Sequence, residues 1–207
     1  MRILLLGASG RVGSEFLKLA NIDNQEVTAF VRDRTTLIYQ AKTVHEGNVL
    51  RKEDIHSAMA NQDIVVSALG TDGKATLSGS IPFIIESMKY YGIKRIITVG
   101  TAGILQSRVS PSLYRYQSTE TRRRSPRATQ AAEDHRLAYE TLKSSTLDWT
   151  VICPTYLPDG EAIGNYRYEV DYLPIDGEKI SVGDTAQFTF EQITSNKHIH
   201  CRVGLAY

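Results

Sequence analysis

The sequence predicts an α/β fold, a doubly wound parallel sheet in a single domain, and three observations carry that expectation. Short apolar runs recur at regular intervals, helix-like segments lie between them, and a glycine-rich turn joins the first run to the first helix. Strands that alternate with helices pack as a parallel sheet covered on both faces, and right-handed crossovers favour the doubly wound arrangement.

The elements follow in order. Arg2–Leu6 is an Ile/Leu run that ends at Gly7; Val27–Val31 is a second run and Ala41–His45 a weaker third. Asp63–Ala68, Lys94–Val99 and Asp148–Cys153 are the fourth, fifth and sixth. Each has the length of a strand buried on both faces, which reads as a nearly continuous apolar stretch. Apolar residues near helical spacing mark Arg11–Ala20, Arg51–Ala60, Thr76–Tyr91 and Ala128–Ser144 as helices. Beyond Pro154 the pattern changes. Tyr166–Tyr172 alternates like a surface strand, Asp176-Gly177 signals a turn, and Lys179–Val182 reads as a short strand. Asp184 is the expected N-cap of a helix over Thr185–Ile193, and His198–Leu205 the last strand. The domain 1–207 thus divides into a core, 1–153, and a segment 154–207 that completes the substrate side. Gly103–Pro126 is one long stretch without periodicity, a length common in lids and binding loops.

Composition narrows the function. At 207 residues, with 42% hydrophobic and 23% charged, the chain is an ordinary globular domain. A domain of this size buries roughly 70% of its unfolded surface and folds without a disulfide or a metal. Lys and Arg number 24 against 23 Asp and Glu, a net charge of +1, which argues against electrostatic binding of nucleic acid. Cys153 and Cys201 lack a CxxC partner and read as apolar strand residues in a reducing compartment. The apolar run Ile3–Leu6 is too short for a signal-peptide core or a membrane span, so a cytoplasmic protein is expected. Oligomeric state stays open between monomer and dimer.

The strongest motif is Gly7-Ala8-Ser9-Gly10-Arg11-Val12-Gly13, set between the first strand and the first helix. One glycine permits the tight turn, another lets a pyrophosphate approach the backbone, and a third lets helix and strand pack closely. The helix N-terminus then offers N–H groups and a positive dipole end to phosphate.

This motif, with GxxGxxG spacing, resembles the extended and atypical short-chain dehydrogenase/reductases. Further residues carry the resemblance along nearly the whole chain: Val31-Arg32-Asp33, Gly47-Asn48-Val49, Val66-Ser67-Ala68-Leu69-Gly70, Leu147–Pro154 and Ile180–Ala186. The last two are similar to segments of NmrA-like NAD(P)H-binding members, and His135 with the short length to the flavin reductase (biliverdin-IXβ reductase) branch. The resemblance implies a Rossmann fold with cofactor contacts at Gly7, Ser9, Gly10, Arg11, Val12, Gly13, Arg32, Asp33, Arg34, Asn48, Val49, Ala68, Leu69, Gly70, Gly100, Pro154, Thr155 and Tyr156. Asn48 replaces the family's aspartate.

The end of the second strand discriminates between cofactors, because an acid there binds a ribose 2′-OH and an arginine a 2′-phosphate. Arg32 at the tip, with Arg34 and Arg11 nearby, points to NADP(H), while Asp33 keeps NAD(H) open. At the reacting end the resemblance implies Thr101 and His135 as catalytic residues. The family's Tyr and Lys positions fall on Ala131 and His135, so the tyrosine acid is missing, and Tyr156 stands where the flavin reductase branch has a second histidine. Tyr139-x-x-x-Lys143 has the familiar spacing but lies too close to Asp148, the start of the sixth strand, to reach the cofactor edge. Arg108, Arg115, Arg122, Arg123, Arg124 and Arg127, interleaved with Tyr114 and Tyr116, form either a clamp for an acidic or planar substrate or a solvated face. The expected function is an NADPH-dependent oxidoreductase passing hydride to a flavin, quinone or similar planar acceptor. A non-catalytic NADP(H)-binding redox sensor is the alternative, and a sugar-nucleotide epimerase a more distant one.

Overall fold

The computed structural model describes residues 1–71, 75–121 and 126–207. Eight strands are present among them: β1 (Arg2–Leu6), β2 (Glu26–Val31), β3 (Thr43–Glu46), β4 (Ile64–Ser67), β5 (Arg95–Val99), β6 (Asp148–Pro154), β7 (Arg167–Val170) and β8 (Cys201–Ala206). They form one sheet in the order β3-β2-β1-β4-β5-β6-β8-β7. Every pairing is parallel except β7 with β8. The order reverses between β1 and β4, which is the topological switch point where such sheets open a crevice at their carboxyl ends.

The apolar runs explain the layers. Within β1, Ile3 and Leu5 belong to one core while Leu4 and Leu6 belong to the other, and all four are fully buried. The same alternation splits Ile64 and Val66 from Val65 in β4, and Ile97 from Ile96 in β5. A strand whose two faces are both covered needs apolar residues at every position, and each such side chain contributes about 1.5–3 kcal/mol by burial. One face is covered by α1 (Arg11–Ile22) through Phe16, Leu17 and Ala20, and by α5 (Val182–Glu191) through Phe188. The other is covered by α2 (Lys52–Ala58), α3 (Thr76–Tyr90) and α4 (Pro126–Lys143), through residues such as Ile55, Ile84 and Leu142.

Several boundaries differ from the sequence expectation. The third strand starts at Thr43 rather than Ala41, and the last at Cys201 rather than His198. Lys179–Val182 is not a strand; only Lys179 bridges Tyr156. Helix α5 starts three residues earlier than expected, with Ser181 as its N-cap: the Ser181 hydroxyl accepts the Asp184 N–H at 3.0 Å. Asp184 serves a different purpose. Its buried carboxylate accepts the N–H groups of Ile163 and Gly164 and the hydroxyls of Ser181 and Tyr207, tying the 158–164 loop to the start of α5. The described part of the long stretch after Gly103 is packed at its start. Ile104, Leu105 and Ser107 are buried, and short 3-10 turns form at Arg115–Gln117 and Thr119–Thr121.

Candidate functional site

The crevice at the switch point is built from the glycine turn outward. Gly7 has φ +81°, a region that disfavours side chains, and a Cβ there would lie 2.8 Å from the Ala68 carbonyl oxygen. Gly10 is the N-cap of α1 and supplies no side-chain cap, and the first turn of the helix holds no acid. The leading N–H groups of α1 are therefore left to an external anion. Gly13 sits one turn into the helix, where a Cβ would come within 2.1 Å of the Gly7 carbonyl oxygen. Close contact between helix and turn depends on that missing atom.

Around the turn lies a cleft of about 390 Å³. Gly7, Ser9 and Gly10 form one wall, and Arg32, beyond the end of β2, another. Asn48 and Val49 close the cleft from the segment after β3, and Ala68, Leu69 and Gly70 from the end of β4. These nine residues, all expected from sequence, line one cleft. The sequence reading missed Phe30, Val31, Leu50 and Thr76, which also line the cleft. Phe30 and Val31 were legible only as strand core. A usable signal was their place at the carboxyl end of β2, directly before Arg32.

The other expected cofactor contacts lie outside this cleft. Arg11 donates to the Leu157 carbonyl at 2.8 Å and pairs with Asp159 at 3.0 Å, joining the glycine turn to the 157–164 segment. Asp33 is the N-cap of a 3-10 turn, Arg34–Thr36, where one carboxylate oxygen accepts both the N–H and the hydroxyl of Thr35. These bonds hold its carboxyl below the ordinary aspartate range. Arg34 Nε donates to Glu46 at 2.6 Å. Val12 and Gly13 belong to the packed body of α1. Pro154 is buried at the end of β6, the Thr155 hydroxyl donates to the Glu178 carbonyl, and Tyr156 is exposed.

A second, small apolar pocket adjoins the cleft, and Leu69 lines both. Its volume is about 30 Å³, room for roughly one water. Gly100 and His135 line it, together with Leu77 and Ile81 from α3. Burial pushes the His135 imidazole down to about 4, against the opposing charge of Asp134. The ring is therefore neutral near pH 7 and makes no hydrogen bond to a described residue. Thr101 follows β5 and caps the next 3-10 turn, its hydroxyl accepting the Gly103 N–H at 3.3 Å. Ala131 lies one turn before His135 on α4, so no phenol stands at that position.

Tyr139 also edges the pocket, but its ring is buried edge-on against Trp149 and Tyr114. Lys143 is the last residue of α4 and lines a different cavity, which Tyr139 also reaches, beside Ser145, His200 and Arg202. Of the arginine-rich segment, Arg108 pairs with Glu169 and stacks on Tyr172, and Arg115 pairs with Glu120. Arg122, Arg123, Arg124 and the Arg127 side chain lie outside the described residues. Tyr114 and Tyr116 donate to Glu140 and Glu133 on α4. The described part of this segment is thus held by internal pairs.

Cys153 and Cys201 are free thiols. Among the described residues, no group of His, Cys, Asp and Glu is arranged to hold a metal, and no helix is long and apolar enough to cross a membrane. The uncapped N-terminus of α1, the glycine cradle and the arginine at the β2 end fit a dinucleotide.

Comparison with known proteins agrees. The model of a family described as NAD(P)H-binding matches residues 7–196. The uncharacterized protein YwnB of Bacillus subtilis is 27% identical over 96% of this chain and 94% of its own. A Bacteroides thetaiotaomicron protein provisionally named an epimerase is 27% identical, with a TM-score of 0.86 over 100% of this chain and 96% of that one. Two further solved structures share the fold. One, from Streptococcus pneumoniae, is provisionally named an NADH-flavin reductase (23% identity, TM-score 0.84, 100% and 99% covered). The other is an anaerobilin reductase from Escherichia coli O157:H7 (22%, 0.81, 100% and 97%).

Proposed function

The chain belongs to the NAD(P)H-binding family, and from that premise we propose that it is an NADPH-dependent reductase that passes hydride to a planar acceptor such as a flavin or quinone. The observation that carries this reading is that Leu69 lines both the dinucleotide cleft and the small apolar pocket of His135, whose volume of about 30 Å³ takes at most an edge atom of the acceptor. Two chains of the same fold that are named as reductases, one for flavin and one for anaerobilin, support it.

The bound nicotinamide supplies the hydride. The chain's own residues position it. The α1 N-terminus and the Gly7–Gly13 turn would hold the pyrophosphate, and Arg32 would take the 2′-phosphate that distinguishes NADPH. One oxygen of the Asp33 carboxylate is taken by Thr35, which leaves the other to accept a ribose hydroxyl, so the preference for NADPH rests on Arg32. A neutral His135 contributes a hydrogen bond to the acceptor rather than a charge, and Thr101 orients the acceptor from the end of β5. With Ala131 in place of a phenol, the proton that accompanies the hydride comes from solvent. Rate would then rest on how the chain positions cofactor and acceptor, a contribution that reaches several kcal/mol.

The missing phenol also favours a second reading, in which the chain binds NADP(H) and signals its redox state without turnover. The test is NADPH oxidation measured against a panel of flavins, quinones and tetrapyrroles. Turnover with at least one acceptor, and with NADPH preferred over NADH, supports the reductase. Tight NADPH binding without turnover on any acceptor supports the sensor.

A further inference from the structure

We propose that Asp134 is a positioning residue that staples helix α3 to helix α4 beside the His135 pocket, and so fixes the cofactor cleft relative to the reacting pocket. This rests on the reductase reading for its kinetic consequence, though not for its geometry.

Helix α3 receives no side-chain cap from its own N-cap residue. That residue is Ala75, in the left-handed region at φ +59°. The orphaned N–H groups are satisfied from another helix. Asp134 is buried on α4, and its two carboxylate oxygens accept the Leu77 N–H at 3.0 Å and the Ser78 N–H at 2.8 Å. The Ser78 hydroxyl donates to the same carboxylate at 2.6 Å. An anion at a helix N-terminus also gains from the dipole, so this one side chain is both cap and clamp.

Its neighbours give the clamp a function. Thr76, one residue before the captured N–H groups, lines the dinucleotide cleft. Leu77 and His135 line the reacting pocket, and His135 is the residue next to Asp134. Cleft and pocket therefore share a joint whose geometry is set by three hydrogen bonds to one carboxylate. The glycine turn, which holds the pyrophosphate, lies on different elements and is unaffected.

Asp134→Ala and the gentler Asp134→Asn test this, both assayed at a temperature where circular dichroism shows full folding. For Asp134→Ala the expected result is a loss of about tenfold or more in kcat/KM for the acceptor, while the Kd of NADPH stays within about threefold of wild type. Asp134→Asn, which keeps the size and loses the charge, is expected to fall between, and it carries the test if the alanine variant does not fold. A second readout needs no turnover. The His135 ring signal in NMR, identified by its loss in His135→Ala, is expected to shift on NADPH addition in wild type and to lose that response in Asp134→Ala. A variant with wild-type kcat/KM and an intact His135 response, showing only a lower Tm, would reduce Asp134 to a structural cap and overturn the proposal. A wild-type His135 signal that ignores NADPH would overturn it as well. If wild type reduces no acceptor, the reductase reading fails, and the NMR response alone decides the role of Asp134.

Discussion

Arg32 and Arg34 lie two residues apart at the end of β2, and only one is electrostatically committed. Arg34 is paired with Glu46 at 2.6 Å, whereas Arg32 lines the dinucleotide cleft and makes no hydrogen bond or ion pair with a described residue. The two arginines that sequence alone treats alike are therefore expected to behave differently. Arg32→Ala should weaken NADPH binding roughly tenfold to a hundredfold, since a charge-assisted hydrogen bond contributes about 1.5–3 kcal/mol. NADH binding should change little, and Arg34→Ala should leave both affinities close to wild type. Isothermal titration with both cofactors reads this directly. Equal losses for NADPH and NADH in Arg32→Ala would show that Arg32 does not contact the 2′-phosphate.

The glycines of the turn separate folding from binding. A Cβ on Gly13 would meet the Gly7 carbonyl oxygen at 2.1 Å, and both atoms are fixed by backbone. Gly13→Ala should therefore destabilise the fold by about 1–3 kcal/mol or more. At Gly10 the corresponding distance is 3.2 Å, a much milder contact. Gly10→Val should fold and lose NADPH binding, because its side chain fills the pyrophosphate approach. Thermal unfolding and cofactor titration distinguish the two. Wild-type NADPH affinity in Gly10→Val would place the phosphate elsewhere.

His135 sets a pH dependence. Burial lowers its folded-state value to about 4, below the value near 6.5 of an unfolded chain. A group of this kind contributes stability above the unfolded value. That stability is lost as pH falls from about 6.5 toward about 4, because the unfolded state takes up the proton first. The stability of His135→Leu should therefore fall less steeply with acid over that window than that of wild type. Turnover should show no titration near pH 6.5 from this residue, and His135→Ala should lower kcat with little change in NADPH affinity. Parallel acid-stability curves for the two proteins would contradict the burial argument.

Tyr139 and Lys143 have the spacing of a catalytic pair and line one cavity together with Trp149, His200 and Arg202, but neither lines the dinucleotide cleft. Lys143 Nζ lies 6.0 Å from the Tyr139 ring centroid and faces the cavity beside His200, away from the dinucleotide cleft. Lys143→Ala should leave turnover and NADPH affinity nearly unchanged, and Tyr139→Phe should cost at most a few-fold. Losses of about a hundredfold in both, in folded protein, would restore a Tyr/Lys mechanism.

The sheet was legible because burial on both faces leaves its mark in sequence, as in Ile3–Leu6 and Ile64–Val66, where every position must be apolar. The glycine turn was legible because its backbone leaves no room for a Cβ at Gly7 and Gly13. What sequence did not reveal depends on contacts between distant segments. Asp184 has the composition of an N-cap, yet Ser181 takes that place and the Asp184 carboxylate is drawn to Ile163, Gly164 and Tyr207. Asp134 caps a helix 57 residues away, a pairing that local patterns do not encode. Asp33 reads as a free carboxylate until the bonds of one of its oxygens to Thr35 are seen. Phe30 and Leu50 become part of the cleft only because β2 and the turn after β3 end beside the glycine loop.

Hydride transfer from the bound cofactor is the central claim, and single-turnover mixing tests it most directly. The protein with one equivalent of NADPH is mixed with a flavin, a quinone or a tetrapyrrole, and nicotinamide absorbance is followed in time. The account predicts that with at least one acceptor the bound NADPH is oxidised faster than free NADPH, one acceptor reduced per cofactor, and that His135→Ala slows this phase. Bound NADPH that stays reduced with every acceptor, or that is oxidised no faster than NADPH in solution, would contradict it.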